Sequence, residues 1–343
     1  MNLPSCEAEV TTFYLDLQTS EEIDLRDNRG KRHDLGVILI GVCLSLFCKR
    51  DGNLSSMHRH MKNHYANLCS VLNIEPYKVV SRAQLPIVLS KVNLNVFESL
   101  ILKYNGFKLS ESEKSWFSVD GKELRGSIET GDKRGEAIVS IVNHTTYEIV
   151  AQSFYNGKKE SEKPCARELL IESELLCQKI SCDALHFNPQ TLKAINQKQG
   201  IYLVGLKDNQ ELLLAEMIKL IKIQPVKFAN VSVNKGHGRT ESRKYQIFNV
   251  AEHLFDERFR DCGLKTLIKI ERKRLNNKTK KESEEIAFYM TNQSPPSQKM
   301  ANELCEAVRN HWSVEVVNNI RDVIFKEDKF RTKKKNALKL WQV

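Results

Sequence analysis

The sequence predicts an α/β fold in which a mixed sheet with flanking helices carries a β-rich insertion and follows an N-terminal helical region. Three observations carry this. Residues 1 to about 100 read as helical throughout. From about 115, short β-rich runs alternate with helical ones, and two of these runs end in an aspartate. From about 225 to 292, further β-rich runs follow one another around a densely basic stretch.

In the N-terminal part, Asp34 stands where it can cap the apolar run Val37 to Cys48. That run is too short for a bilayer, which needs about 20 residues, so it reads as a buried helix. It also starts too far from Met1, after too many charges, for a signal peptide. Asn53 to Ser56 begin a second helix with His58, His60 and His64 on it. Without carboxylate or cysteine partners these histidines read as a solvated or DNA-facing surface and not as a metal site. A third helix is expected from Ser81, broken by Pro86.

The next part opens with a strand, Phe117 to Asp120. Ala137 to Val142 and Tyr147 to Phe154 follow as strands joined by a hairpin. Cys165 to Cys177 is helical, and Lys179 to Asp183 is a second strand ending in an acid. Pro189 opens a helix through Lys198, which Gly200 closes. Ile201 to Leu206 is uniformly apolar, as a buried parallel strand is. Three strands, helix, strand, helix, strand is the order of an RNase H-like core. Lys244 to Val250, Leu267 to Ile270 and Ile286 to Met290 are the insertion's strands. A final helix is expected from about Gln298 to Phe325. The chain is accordingly expected to divide into a helical region, 1–110, and a catalytic domain, 111–343, with the insertion at about 225–292.

Charge points to a partner. Lys and Arg exceed Asp and Glu by 53 to 43, a net charge of +10, which favours a polyanion. The nine cysteines lack any Cys-x-x-Cys pair and fit neither a disulfide framework nor structural zinc, so free thiols in a reducing cytoplasm are expected.

The acids at the strand ends, Asp120 and Asp183, are candidate ligands for divalent ions, because a sheet presents its ligands there. Asp is also common in turns and at helix caps. Glu315 is the third candidate. Val308, Trp312, Val316, Ile320 and Val323 would form an apolar stripe on one continuous helix, with His311, Glu315, Asn319 and Asp322 beside it. Glu315 would then sit at the margin of the buried face, as a ligand or paired with a nearby cation.

Several segments in order resemble one family. Ser118-Val119-Asp120-Gly121-Lys122-Glu123-Leu124-Arg125-Gly126 resembles the D-G-K-x-x-R-G strand of ISAs-type transposases, the group that includes the H-repeat-associated proteins. Cys182-Asp183-Ala184-Leu185-His186 is similar to their D-A-L/M-H segment. Tyr202 to Gln210, Gly236 to Arg243, Arg309 to Glu315 and Phe325 to Asp328 are similar to later family segments, and Asp27 to His33 to an earlier one. The resemblance implies a DDE triad, Asp120, Asp183 and Glu315, on an RNase H-like fold. It implies two Mg²⁺ ions, with Mn²⁺ able to substitute, and insertion-sequence terminal repeats and target DNA as substrates. It implies Lys122, Arg125, Lys207, Asn209, Gln210, His237, Arg239, Arg243 and His311 as DNA contacts, although such residues also often satisfy loop carbonyls. Residues 271–281 and 329–335 are expected to bind phosphates without reading sequence. A homodimer on DNA and a cytoplasmic, nucleoid-associated location in a bacterium go with this.

After Glu315 the chain departs from the family, with Val316 to Ile320 in a segment one residue short. Deleting one residue from a helix rotates every later side chain by about 100°, so Phe325 to Asp328 should face differently or need a local distortion. The chain also ends at Lys339 to Val343, where the family continues into another helix. The alternatives are therefore a decayed or domesticated DNA-binding protein without catalysis, or a host nuclease of the same fold.

Overall fold

The computed structural model describes residues 6–48, 53–104, 113–128, 131, 133–156, 158–236, 238–253, 256–329 and 335–340. The chain forms two compact units that interleave in sequence. One comprises 1–108, 123–137 and 318–343, the other 109–122 and 138–317.

The first unit is helical. It holds α1 (Cys6–Thr19), α2 (Leu35–Phe47), α3 (Leu54–Val71), α4 (Leu85–Leu89) and α5 (Leu94–Tyr104). Asp34 caps α2 by accepting from the Val37 N–H, and it also accepts from the Tyr14 hydroxyl at 2.7 Å. Val37 to Ile40 are buried against Met57 and Met61 of α3 in the unit's core. The apolar run is thus a core helix, and no described helix is long and apolar enough to cross a membrane. Pro86 starts α4 instead of breaking a helix, because at the first turn its missing N–H costs nothing. His58 is not solvated as expected: its Nε2 lies 2.8 Å from the Val80 carbonyl. Cys43, Cys48, Cys69, Cys165, Cys177, Cys182, Cys262 and Cys305 are free thiols.

The second unit is a mixed α/β layer structure built on one nine-stranded sheet. Its strands are β1 (Trp116–Glu123), β2 (Ala137–Asn143), β3 (Ile149–Tyr155), β4 (Lys179–Cys182), β5 (Ile201–Leu206), β6 (Phe228–Gly236), β7 (Arg239–Asn249), β8 (Thr266–Asn276) and β9 (Glu282–Thr291). Their spatial order is β3-β2-β1-β4-β5-β9-β8-β7-β6. β1, β4 and β5 are mutually parallel, and from β5 to β6 every neighbouring pair is antiparallel. The insertion therefore continues the sheet, because β9 pairs directly with β5. β6 was not expected. Asn230 to Asn234 alternate polar and apolar residues, but the alternation is inverted: Val231 and Val233 are exposed while Asn230, Ser232 and Asn234 lie half-buried.

Helices cover both faces. α6 (Lys159–Glu172), α7 (Pro189–Gln197) and α8 (Glu211–Leu220) follow β3, β4 and β5 in the chain. α9 (Gln298–Asn310) buries Ala301, Leu304 and Val308 against Leu203, Tyr245, Ile247 and Ile270. The residue that turns the chain after α7 is Gln199, at φ 58°, and not Gly200. Gly200 is required for closeness instead: a Cβ there would stand 2.0 Å from the Leu176 carbonyl oxygen.

The expected single last helix is two. α9 ends at Asn310 and α10 (Ser313–Val323) begins after a break at His311 and Trp312. The break resets the helical phase, so the expected apolar stripe does not form. Val308 is buried, whereas Trp312, Val316, Ile320 and Val323 are exposed; Val314 and Val317 point inward instead. Beyond α10, Lys326 takes a left-handed conformation at φ 53°, as residues that end a helix commonly do. Glu327 then accepts from Arg321 Nε at 2.8 Å, and the first unit closes with α11 (Lys335–Leu340).

Candidate active site

The strand register builds the site. Ser118 of β1 pairs with Ser181 of β4, and Val119 with Cys182. One step further, Asp120 and Asp183 stand beside each other on the face that Ser118 and Ser181 share, since side chains alternate along a strand. Asp183 is also fixed locally, accepting from the Leu185 N–H at 2.8 Å.

A third carboxylate joins them from α6. Glu162 is buried, accepts from the Tyr155 hydroxyl at 2.9 Å and lies 3.3 Å from His186 Nε2. Gly121 makes room for it: a Cβ at Gly121 would sit 2.5 Å from the Glu162 carboxyl carbon. The carboxyl of Asp120 is consequently pushed up to about 7, first by burial and then by the charges of Asp183 and Glu162. Crowded acids of this kind suit a divalent cation, which would relieve the repulsion and accept their hard oxygen ligands. Among the described residues no three such side chains converge closely enough to hold an ion as they stand.

Beneath the carboxylates runs a buried polar layer. Ser118 Oγ lies 2.9 Å from Ser313 Oγ. Ser181 Oγ lies 3.1 Å from His311 Nδ1, 2.8 Å from His144 Nε2 and 3.2 Å from the Phe117 carbonyl. The serine has one proton for these three neighbours, and which ring nitrogen donates to its oxygen follows from the ring tautomers. Both rings are neutral: burial holds His144 down at about 3 and His311 at about 4. His311 and Ser313 flank the α9–α10 break, so these contacts fix the break onto β4 and β1. Midway along α9, Glu303 accepts from Trp116 Nε1 at 3.1 Å and pairs with Lys179, at the starts of the same two strands.

Glu315 lies two residues beyond Ser313, in the first turn of α10. It is exposed, and its carboxyl is raised by partial burial alone. The structure thus brings Asp120 and Asp183 together with Glu162 and His186, whereas Glu315, exposed on α10, is not among the charges that shift Asp120.

The candidate DNA contacts divide. Lys207, Arg125 and Arg239 are exposed. Lys122 and His311 are buried, and His311 is engaged with Ser181, which makes both internal residues and corrects the expectation of a surface contact. Asn209 donates to the Ala184 carbonyl and Gln210 to that of Phe187, so both amides hold the loop that follows Asp183. His237 lies outside the described residues, as do 330–334 of the basic tail. Gly238, at φ 71°, turns the β6–β7 hairpin. Arg243 and Arg272 pair with buried Glu241, at 2.7 and 3.2 Å, and Lys273 pairs with Glu284. Much of the basic stretch is therefore already matched by acids. Glu162, His144 and the two strand serines were missed as site residues. The readable signal was a serine two residues before each aspartate in an otherwise apolar strand.

Similarity to known proteins agrees with this geometry. Residues 111–341 match the family described as the transposase DDE domain. The "H repeat-associated putative transposase YhhI" of Escherichia coli K12 is 28% identical over 239 residues, 68% of this chain and 62% of its own. The "Putative transposase YncI" of Escherichia coli O157:H7 is 24% identical over 259 residues, 74% of this chain and 65% of its own. The matched stretch thus spans less than two thirds of these relatives. With the family match covering most of its length, and Asp120 of β1 coupled to Asp183 just past the parallel strand β4, the chain belongs to the DDE transposase domain family.

Proposed function

We propose that this chain is an insertion-sequence transposase that cuts a phosphodiester at its element's ends and joins the freed 3′ end to target DNA. The observation that carries it is the β1–β4 register, which sets Asp120 beside Asp183. The parallel β1, β4 and β5, with β2 and β3 outside β1, support an RNase H-like core. Asp120, Asp183 and Glu315 would hold two Mg²⁺ ions, with Mn²⁺ as a substitute. Such ions supply a nucleophile at neutral pH and stabilise the leaving oxygen. The protein's own part is positional. The Ser118–Ser313 and Ser181–His311 contacts keep the first turn of α10 against the strands that bear the aspartates, and Asn209 and Gln210 brace the loop after Asp183. Two DNA ends joined together call for two such sites, hence a homodimer on DNA in the bacterial nucleoid.

Strand cleavage of a duplex carrying the element's own end, with Mg²⁺ or Mn²⁺, tests this. Asp183→Asn should abolish cutting and leave duplex affinity unchanged or higher. A variant that cuts at the normal rate removes Asp183 from the chemistry. The exposed position of Glu315 favours a second reading, DNA binding without cleavage. Retained, salt-sensitive binding with no cutting by the unmodified chain establishes that reading instead.

A further inference from the structure

On the second unit, α6, the start of α7 and the 3-10 turn Glu257–Cys262 enclose a cleft of about 590 Å³. Its walls carry three cations: Lys163 and Arg167, one helical turn apart on α6, and Arg258 of the 3-10 turn. Asn188 and Gln190 line it from the α7 side.

The pairing of these cations sets the cleft apart. Elsewhere in this unit, cations shielded from solvent face acids: Lys179 meets Glu303, and Arg243 and Arg272 meet Glu241. Lys163 and Arg167 are likewise half-buried, yet neither has a carboxylate partner among the described residues. Arg167 donates to the Gln190 side-chain oxygen, a neutral acceptor, and Lys163 makes no hydrogen bond or ion pair with a described residue. Arg258 does have an acid, Asp256, and it lies over the Phe259 ring with its guanidinium 5.4 Å from the centroid. Three positive charges against one negative leave the cleft cationic. A concave surface with this excess of positive charge attracts an anionic ligand.

The cleft's position identifies the anion. Lys163 directly follows Glu162, whose carboxylate faces Asp120 and His186. Asn188 to Gln190 directly follow the loop that carries Asp183 and His186. Both walls are therefore joined along the chain to segments of the carboxylate cluster. A DNA strand with one phosphate at the cluster must place its neighbours along the adjoining surface, and Lys and Arg are the residues that hold phosphates without reading bases. Resting on the proposed function above, we propose that the Lys163–Arg167–Arg258 cleft binds backbone phosphates of the substrate strand beside the reacting one.

The test uses the full chain without divalent ion and a fluorescein-labelled duplex of arbitrary sequence, its affinity followed by anisotropy across a NaCl series. Removing one phosphate-binding cation should lower the steepness of log affinity against log salt by about 0.9. Lys163→Ala/Arg167→Ala should therefore flatten the slope by roughly two and weaken binding about tenfold or more at moderate salt. Lys163→Arg/Arg167→Lys, which keeps both charges, should restore the slope. Lys198→Ala/Lys222→Ala, which removes two lysines outside the cleft, should change it less. Melting curves confirm that each variant folds. An unchanged slope in the double alanine variant, while the parent chain binds, overturns the cleft and leaves the catalytic reading standing. Failure of the parent chain to bind the duplex overturns both. Calorimetric binding of inorganic phosphate that needs Lys163 and Arg167, without any effect of their loss on duplex affinity, overturns it in favour of a free-phosphate site.

Discussion

A serine in the middle of a buried strand has to find a partner, and Ser181 finds three. That one hydroxyl ties His144 and His311 to the strand that leads into Asp183. His144 also makes stability depend on pH. Its folded value, about 3, lies below the ordinary 6.5 of an unfolded histidine. At neutral pH both states are neutral there and no stability is forfeited. As pH falls through 6.5 the unfolded chain takes up a proton that the folded chain refuses, so stability drops until pH nears 3. The slope contributed is about 1.4 kcal/mol per pH unit. Urea denaturation at pH 7, 6 and 5 should show the decline, and His144→Gln should lessen it; an equal pH dependence in the variant contradicts the assignment. Gly121 gives a second prediction. Its replacement by Ala drives a Cβ into the Glu162 carboxyl group, and a well-packed site that must shift costs about 1–3 kcal/mol. Thermal melting reads that cost directly, and an unchanged midpoint would show that Glu162 moves freely. Both aspartates were legible as residues, because an acid after an apolar run is visible in the string. Glu162 was not, because only the packing of α6 on Gly121 reveals it.

At the scale of elements, the strands of the core were legible and the last helix was not. β5 announces itself as an unbroken apolar run ended by Lys207, and α7 by a proline at its first turn and Asn188 as cap. The last helix misleads because Val308, Trp312, Val316 and Ile320 keep perfect spacing through a point where the backbone bends. The cause of the bend is tertiary: His311 and Ser313 turn inward to meet Ser181 and Ser118, and no local propensity encodes that meeting. The same contacts define the role of His311. Replacing it with Ala leaves Ser181 short of a partner and opens space, a cost of about 1–3 kcal/mol. If it positions α10, His311→Ala slows strand cleavage while duplex affinity stays within about twofold, since positioning leaves the phosphate contacts intact. A fall in affinity without a change in melting midpoint would make it a DNA contact after all.

For the molecule as a whole, the β-rich insertion is part of the sheet that bears the aspartates. β9 pairs with β5, and α9 is buried jointly by Leu203 of β5 and by Tyr245, Ile247 and Ile270 of the insertion. The composition of residues 225–292 showed strands but not their continuity, because pairing partners separated by many residues leave no periodic mark. Excision of β6 to β8 should accordingly abolish cooperative unfolding of the second unit; a shortened chain that melts at the parent's midpoint would mean a separable domain. If Asp120 and Asp183 hold the divalent ions of phosphodiester cleavage, anomalous diffraction from crystals of the full chain bound to duplex DNA and soaked in Mn²⁺ shows it most directly. The expected result is manganese between the carboxylates of Asp120 and Asp183, with Glu315 turned toward it. Manganese bound elsewhere on the protein, with those two carboxylates bare beside a bound phosphodiester, would contradict it.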